Sequence, residues 1–250
     1  MCLVYLDDVI LFSTTLDQHF QRLRLVLDKI RSAGLKLKPS KCFLLQREVA
    51  FLGHVVSEQG VATDPQKISA VTDWSEPVCL REVRAFLGLA SYYRRFVKDF
   101  AAIASPLHAL TKKGAVFCWT EECRRAFERL KDALTTAPVL AMPDDESEVL
   151  IDVDASDFAI GCVLSKRRDG DERVVAYASR SLSKAELNYC VTRKELLAVV
   201  YFVKYFKLHL LGRKFIIRSY HAALQWLRRI PDPVGQQARW IGFLEEFDYR

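Results

Sequence analysis

Three sets of carboxylates have the residue types and spacing for divalent-metal chemistry. Asp7 and Asp8 form an adjacent pair between two short apolar runs. Asp152 and Asp154 lie two residues apart, so a strand would carry both on one face. Glu195 is the third candidate. Hard carboxylate oxygens are the ligands that Mg²⁺ prefers, and two-metal phosphoryl transfer needs several of them around its ions.

Each set also has an interpretation without catalysis. Acidic residues are favoured in turns, so Asp7 and Asp8 fit the tip of a hairpin. The aspartates of the second pair fit the solvated face of an edge strand. Glu195 fits the third helical position of a capping box, Thr192-x-x-Glu195, in which it would bond to the helix start. Spacing alone leaves both interpretations open for all three.

Composition narrows the class of protein. The chain has 250 residues with 50% hydrophobic residues, enough for a proper core, and its 37 Lys and Arg exceed its 31 Asp and Glu by six. This mild basic bias is compatible with a polyanionic partner. The seven cysteines are scattered without a C-x-x-C pair, which favours a reducing compartment over a disulfide framework or a zinc site. With no signal peptide and no long uncharged apolar run, we expect an intracellular protein, cytoplasmic or nuclear, with no membrane contact.

Apolar periodicity and punctuation predict the elements that position these residues. The first part is predicted to begin with a hairpin around the first aspartate pair, a helix from Thr15 to Gly34 and a second hairpin near 51–60. A helical pattern follows over 65–113, with breaks at Pro77 and Pro106, and a further helix begins at Thr120. A linker over 138–143 separates this part from the second part. The second part is predicted to begin with three strands, at 149–154, 160–164 and 174–177, followed by helices that begin at Ser183 and Thr192. A strand at 215–219, a helix through Leu227 and a last helix at 238–247 complete it. The second part therefore predicts an α/β (α+β) layer architecture.

Short motifs, in a fixed order along essentially the whole chain, give this pattern a family context. They are Val4-Tyr-Leu-Asp-Asp8, Gly34-Leu-Lys-Leu, Lys41-Cys42, Phe51-Leu-Gly-His54, Phe86-Leu-Gly-Leu-Ala-Ser-Tyr-Tyr-Arg-Arg95, Trp119-Thr-Glu, Asp154-Ala-Ser156, Tyr177-Ala-Ser-Arg-Ser-Leu182, Lys194-Glu-Leu-Leu197 and His221-x-Ala-Leu224. In this order they resemble the pol polyprotein of gypsy-type LTR retrotransposons. The resemblance implies a partial reverse-transcriptase palm over 1–63, a mostly helical thumb and connection over 64–143, and an RNase H-like mixed-sheet domain over 144–250. It also implies truncation at both ends, with the remainder of a pol polyprotein as a partner.

The resemblance assigns roles to particular residues. Asp7 and Asp8 match the polymerase carboxylates that hold Mg²⁺ (or Mn²⁺), and Asp154 and Glu195 match two carboxylates of the RNase H metal site. Nucleic-acid contacts are assigned at the primer-gripping hairpin, that is, at Phe51, Leu52, Gly53 and His54. Arg94 and Arg95 are predicted to bind nucleic acid through their charge, by contact with backbone phosphates. The implied partners are a primer-template and an RNA–DNA hybrid.

Departures from the family pattern lower the expected activity. The family's third RNase H carboxylate position is occupied by Tyr220, whose neutral phenol is a poor ligand for a hard cation. A further palm carboxylate is expected upstream of Met1 and a fourth RNase H carboxylate beyond Arg250. We therefore expect weak or absent catalysis, with Asp152 as a partial substitute ligand.

A non-catalytic nucleic-acid-binding protein derived from a retroelement is the alternative. Between Arg22 and Arg47 lie eight basic residues and only one acidic residue, which could contact phosphates together with Arg94, Arg95 and Lys98. An ordinary solvated helix face is the other interpretation of this block.

Overall fold

A computed structural model describes residues 2–219 and 235–250. The chain divides into two compact units, Met1–Asp64 and Pro65–Arg250. Tyr220 and the predicted helix through Leu227 lie outside the described residues. Within the described ranges no helix is long and apolar enough to cross a membrane.

The first unit consists of two small antiparallel sheets and one long helix. Its elements are β1 (Cys2–Tyr5), β2 (Asp8–Leu11), α1 (Leu16–Ser32), β3 (Glu48–Phe51), β4 (His54–Ser57) and β5 (Val61–Thr63). Strand β1 pairs with β2, and β3, β4 and β5 form a meander, so both predicted hairpins are confirmed. Thr15 caps α1 as predicted, since its Oγ1 accepts from the Gln18 amide at 3.3 Å.

The second unit begins with four helices that share an aromatic core. They are α2 (Pro65–Thr72), α3 (Leu80–Tyr92), α4 (Phe100–Leu110) and α5 (Glu121–Thr135). The rings of Phe86 and Phe127 pack with centroids 4.6 Å apart, and Trp74 lies edge-on to Phe86 at 5.7 Å. The predicted break at Pro106 is wrong, because this residue lies inside α4. Leu107 and Leu110 continue the buried face of α4 past the proline, and this packing holds the helix together.

The rest of the second unit is a mixed sheet with helices. Its elements are β6 (Glu148–Ala155), β7 (Ala159–Arg168), β8 (Asp171–Ser181), α6 (Val191–Tyr205), α7 (Lys207–Leu210), β9 (Lys214–Ser219), α8 (Gln236–Leu244) and β10 (Asp248–Tyr249). The sheet order is β10-β9-β6-β7-β8, in which β6, β7 and β8 form an antiparallel meander while β9 runs parallel to β6. This is a mixed α/β architecture, as the sequence predicts.

Helix α6 covers one face of this sheet. Val149, Ile151 and Val153 alternate along β6 and join a buried cluster with Leu196 and Val199 of α6. The period-two pattern of β6 therefore leaves Asp152 and Asp154 on the opposite face.

Helix α4 and the connection between α5 and β6 also cover the edge of the sheet at β8. The Ala101 amide donates to Ser179 Oγ at 2.8 Å, and the Ala141 amide donates to the Val174 carbonyl at 2.7 Å. An open strand edge would promote association, so this cover protects the sheet. It also brings α4 close to the middle strands.

Candidate active site

Asp154 lies near the carboxyl end of β6, the central strand of the five. The edge-strand interpretation of its pattern is therefore wrong. Its cross-strand partner is Gly161, and the next residue along this row is Ser179 of β8. Within the described part of the chain, no hydrogen bond or ion pair engages the exposed Asp154 carboxylate. Its oxygens are open to a ligand.

Glu195 is buried, with 4% of its surface exposed, in the second turn of α6. The capping-box interpretation is wrong, because the helix begins at Val191 with Cys190 as its cap and Thr192 is already helical. Ser219 Oγ lies 3.5 Å from Glu195 Oε2. Since Ser219 pairs in register with Val153, Glu195 reaches the strand end that carries Asp154. A carboxylate that does not cap its helix and faces a strand end has the placement of a ligand.

The Asp152 carboxylate forms an ion pair with Arg218 instead of lying open to a ligand. Both of its oxygens accept from Arg218 of β9, with Nε at 2.5 Å and Nη2 at 2.6 Å. Arg218 also binds Glu172 of β8, and these hydrogen bonds raise the pKa of the guanidinium. Asp152 is therefore not available as the substitute ligand that the sequence suggests.

A cavity of about 280 Å³ adjoins Asp154. It is lined from the sheet by Asp154, Gly161 and Ser179, and from the helices by Asp99 and Arg129. A Cβ on Gly161 would lie only 2.8 Å from Asp99 Oδ1, so the missing side chain lets this carboxylate approach the strand. Sequence reasoning missed Asp99, which lies 55 positions before Asp154. Its one local signal is a left-handed backbone, φ 56°, which is visible only in the structure.

The first aspartate pair occupies the tip of the β1–β2 hairpin. Leu6 and Asp7 form the two-residue turn, and Asp8 opens β2 opposite Tyr5. Leu6 adopts a φ of 51°, a conformation that is uncommon for a residue other than glycine. This strained turn exposes both carboxylates, which is compatible with a hairpin tip and with a metal site alike.

The predicted primer-gripping residues form the turn between β3 and β4. Phe51 pairs with His54, while Leu52 and Gly53 take positive φ values of 47° and 64°. The His54 ring is fixed by a 2.7 Å contact between its Nδ1 and the Leu52 carbonyl oxygen. This contact and the strand pairing define the turn, and its role in nucleic-acid binding stays a prediction.

Arg94 and Arg95 lie on the surface just before α4. Arg95 donates to the Val175 carbonyl of β8 at 3.4 Å, and partial burial lowers the pKa of its guanidinium. One arginine of the pair therefore also anchors the helical segment to the sheet.

Among the described residues no group of three or more His, Cys, Asp or Glu side chains is arranged to hold a metal ion. Asp154 and Glu195 are the two described carboxylates that the family resemblance assigns to the RNase H metal site.

The fold and the two carboxylates, Asp154 and Glu195, define the class of protein. It has an RNase H-like mixed sheet that follows a helical segment along the chain. Two family models match the chain: "Reverse transcriptase (RNA-dependent DNA polymerase)" over 1–56 and "RNase H-like domain found in reverse transcriptase" over 119–217. The Drosophila melanogaster "Retrovirus-related Pol polyprotein from transposon 297" is 40% identical over all of this chain and 23% of its own length. The "Transposon Tf2-3 polyprotein" of Schizosaccharomyces pombe is 34% identical over 98% of this chain and 19% of its own length.

Solved structures agree with these sequence matches. The foamy viral protease-reverse transcriptase dRH in complex with ds DNA is 26% identical with a TM-score of 0.85, over all of this chain and 45% of that chain. The same viral protein in complex with RNA/DNA hybrid is 27% identical with a TM-score of 0.81, over all of this chain and 35% of that chain. The chain belongs to the retrovirus-related Pol polyproteins, of which it represents a reverse transcriptase–RNase H region. It spans about a quarter or less of the curated relatives named above.

Proposed function

We propose that residues 144–250 form an RNase H-type domain that binds RNA–DNA hybrid beside Asp154 and Glu195, with slow hydrolysis of the RNA strand. The observation that carries this proposal is the 3.5 Å contact between Glu195 Oε2 and Ser219 Oγ, because Ser219 pairs with Val153, the residue before Asp154. Residues 64–143 are assigned as the thumb and connection, and residues 1–63 as part of the palm. A relative solved with RNA/DNA hybrid supports the choice of ligand.

The two carboxylates suit Mg²⁺ or Mn²⁺ by the chemistry of their donors. Both offer hard oxygens. When bound, such an ion activates water and stabilises charge on a phosphodiester. Asp154 meets solvent at the cavity, where a substrate can approach, while the protein holds Glu195 in place through Ser219. Tyr220 stands at the position of a third carboxylate, which is the reason to expect a low rate.

For the first unit we propose a contribution to primer-template binding. Asp7 and Asp8 would bind Mg²⁺ at the hairpin tip, and the turn at 51–54 would contact the primer. The basic block from Arg22 to Arg47, with four of its cations on α1, would contribute backbone phosphate contacts.

The free state of all seven cysteines, which lie in the described residues, supports a reducing compartment. We therefore propose the cytoplasm or the nucleus as the place where the chain acts.

Cleavage of an end-labelled RNA–DNA hybrid in Mg²⁺ and in Mn²⁺ tests the nuclease proposal. We expect slow cleavage by the wild-type chain, no cleavage by Asp154→Asn, and faster cleavage by Tyr220→Asp. Asp171→Asn removes an exposed aspartate of β8 outside the candidate site and should match the wild type. Cleavage that survives Asp154→Asn would refute the assignment. Hybrid binding without cleavage in every variant would instead favour the non-catalytic alternative.

A further inference from the structure

Lys194, the residue before Glu195 on α6, is buried with only 7% of its surface exposed. Lysine is almost never buried to this extent unless its ammonium group is paired, because removing the charge from water is costly. Neither the family resemblance nor the proposed chemistry gives this side chain a role. Its contacts lead away from the core and towards the turn that follows Asp154.

The ammonium group holds that turn through two hydrogen bonds. Lys194 Nζ lies 3.2 Å from the Asp157 carbonyl oxygen and 3.3 Å from Asp157 Oδ1. The Asp157 side chain itself is 92% exposed, so the lysine reaches outward to a solvated partner. The contact therefore joins the first turns of α6 to the β6–β7 connection.

Three further hydrogen bonds close this connection, two within it and one to the end of β8. Ser156 Oγ accepts from the Ala159 amide at 3.0 Å, and the Ser156 amide donates to the Ala159 carbonyl at 2.8 Å. The Leu182 amide donates to the Phe158 carbonyl at 2.8 Å, which ties the turn to the end of β8. None of these three bonds reaches α6, the helix that carries Glu195.

We propose that Lys194 is a positioning residue that sets the spacing between Asp154 and Glu195. The reasoning rests on the proposed metal site: Asp154 lies three residues before the Asp157 anchor, and Glu195 directly follows the lysine. Two ligands on separate elements bind one ion well only when their separation is held within a fraction of an ångström. The Lys194–Asp157 contact is a side-chain tie between α6 and the turn after Asp154, in addition to the Glu195–Ser219 contact.

Replacing Lys194 by Met separates this role from ordinary stabilisation. Met keeps most of the apolar stem and removes a buried charge, and such replacements are often neutral or stabilising. Asp157 is left in water, where its carboxylate is well solvated. A positioning role therefore predicts unchanged or higher stability together with a looser turn, whereas a purely structural role predicts lower stability.

The test combines hydrogen exchange of the metal-free chain with Mn²⁺ binding followed by electron paramagnetic resonance. In Lys194→Met we expect the Ser156 and Ala159 amides to exchange at least tenfold faster, and Mn²⁺ affinity to fall by about 10–100-fold, the usual loss for a group that orients a ligand. Lys204→Met, at an exposed lysine of the same helix, is the matched control and should change neither quantity. Asp157→Ala, which keeps the carbonyl contact, should give a smaller increase in exchange.

Unchanged exchange in Lys194→Met would overturn the proposal, and so would its failure to fold, since that would make the lysine a general support of the domain. Faster exchange with unchanged Mn²⁺ affinity would also overturn it, because the turn would then not control the ligands. A wild-type chain that binds no Mn²⁺ refutes the proposed metal site, and the exchange result still decides whether Lys194 holds the turn.

Discussion

Removal of the Glu186 charge should destabilise the second unit in a pH-dependent way. Arg180 binds both oxygens of Glu186, at 2.8 and 2.9 Å, and the Ser183 amide donates to Glu186 at 2.7 Å. The guanidinium of Arg180 also lies over the Tyr201 ring, 4.5 Å from its centroid. Chiefly because of Arg180, the pKa of Glu186 is lowered from 4.5 to about 2.

The magnitude follows from this difference in pKa. A change from 4.5 to about 2 corresponds to an upper limit of about 3.4 kcal/mol, at 1.36 kcal/mol for each pH unit. Water reaches both partners, whose side chains are 25% and 17% exposed, so we expect about 1–2 kcal/mol. Because the folded-state pKa of Glu186 is depressed, this stabilisation is present above pH 4.5 and is lost as the pH falls towards 2.

Urea unfolding followed by tryptophan fluorescence reports on the second compact unit of the chain, which contains Glu186. Every tryptophan of the chain follows Asp64 and therefore belongs to that unit. Glu186→Gln should be less stable than the wild type by about 1–2 kcal/mol at pH 7, and the difference should shrink steadily below pH 4.5. Glu128→Gln, at an exposed glutamate of α5, is the control and should show no difference. A Glu186→Gln deficit of the same size at pH 7 and at pH 2.5 would refute the electrostatic reasoning.

Three further substitutions test the packing around the candidate site by the same unfolding assay. Arg218→Met should cost about 0.5–1 kcal/mol because it removes the bidentate partner of Asp152, and an unchanged urea midpoint would contradict that pairing. Gly161→Ala should change stability by less than about 1 kcal/mol, since the Cβ meets only the movable end of the Asp99 side chain; a loss of several kcal/mol would show that Asp99 is rigidly held. Thr120→Ala should cost about 1 kcal/mol because its hydroxyl caps α5, and a neutral result would argue against the cap.

Local sequence signals predicted most elements of the fold. Alternation of apolar residues located β6, because strands of a layered domain bury one face. Thr15 and Thr120 marked helix starts because side-chain capping is a short-range interaction. The Ser183-x-x-Glu186 capping box also forms, yet it opens only a single 3₁₀ turn before α6.

The geometry of the candidate site could not be predicted from the spacing of residues in the sequence, because it depends on contacts between distant parts of the chain. The sequence pattern around Glu195 fits a capping box. In the structure, α6 packs against the sheet and begins one residue before Thr192, and the glutamate side chain is buried. Asp99 reaches the site only because the helical segment covers β8. Lys194 gave no sequence signal, since a lysine on an apolar helix is ordinarily a solvated one. The short strand β10 was missed because its pairing with β9 spans more than 30 residues.

The central claim is that Asp154 and Glu195 together hold a divalent ion, and Mn²⁺ titration of the full chain tests it most directly. We predict that Asp154→Asn and Glu195→Gln each weaken one Mn²⁺ site at least tenfold. Asp152→Asn should leave that site unchanged, because Arg218 already engages the Asp152 carboxylate. Wild-type Mn²⁺ affinity in Asp154→Asn, or an equal loss in Asp152→Asn, would contradict the assignment.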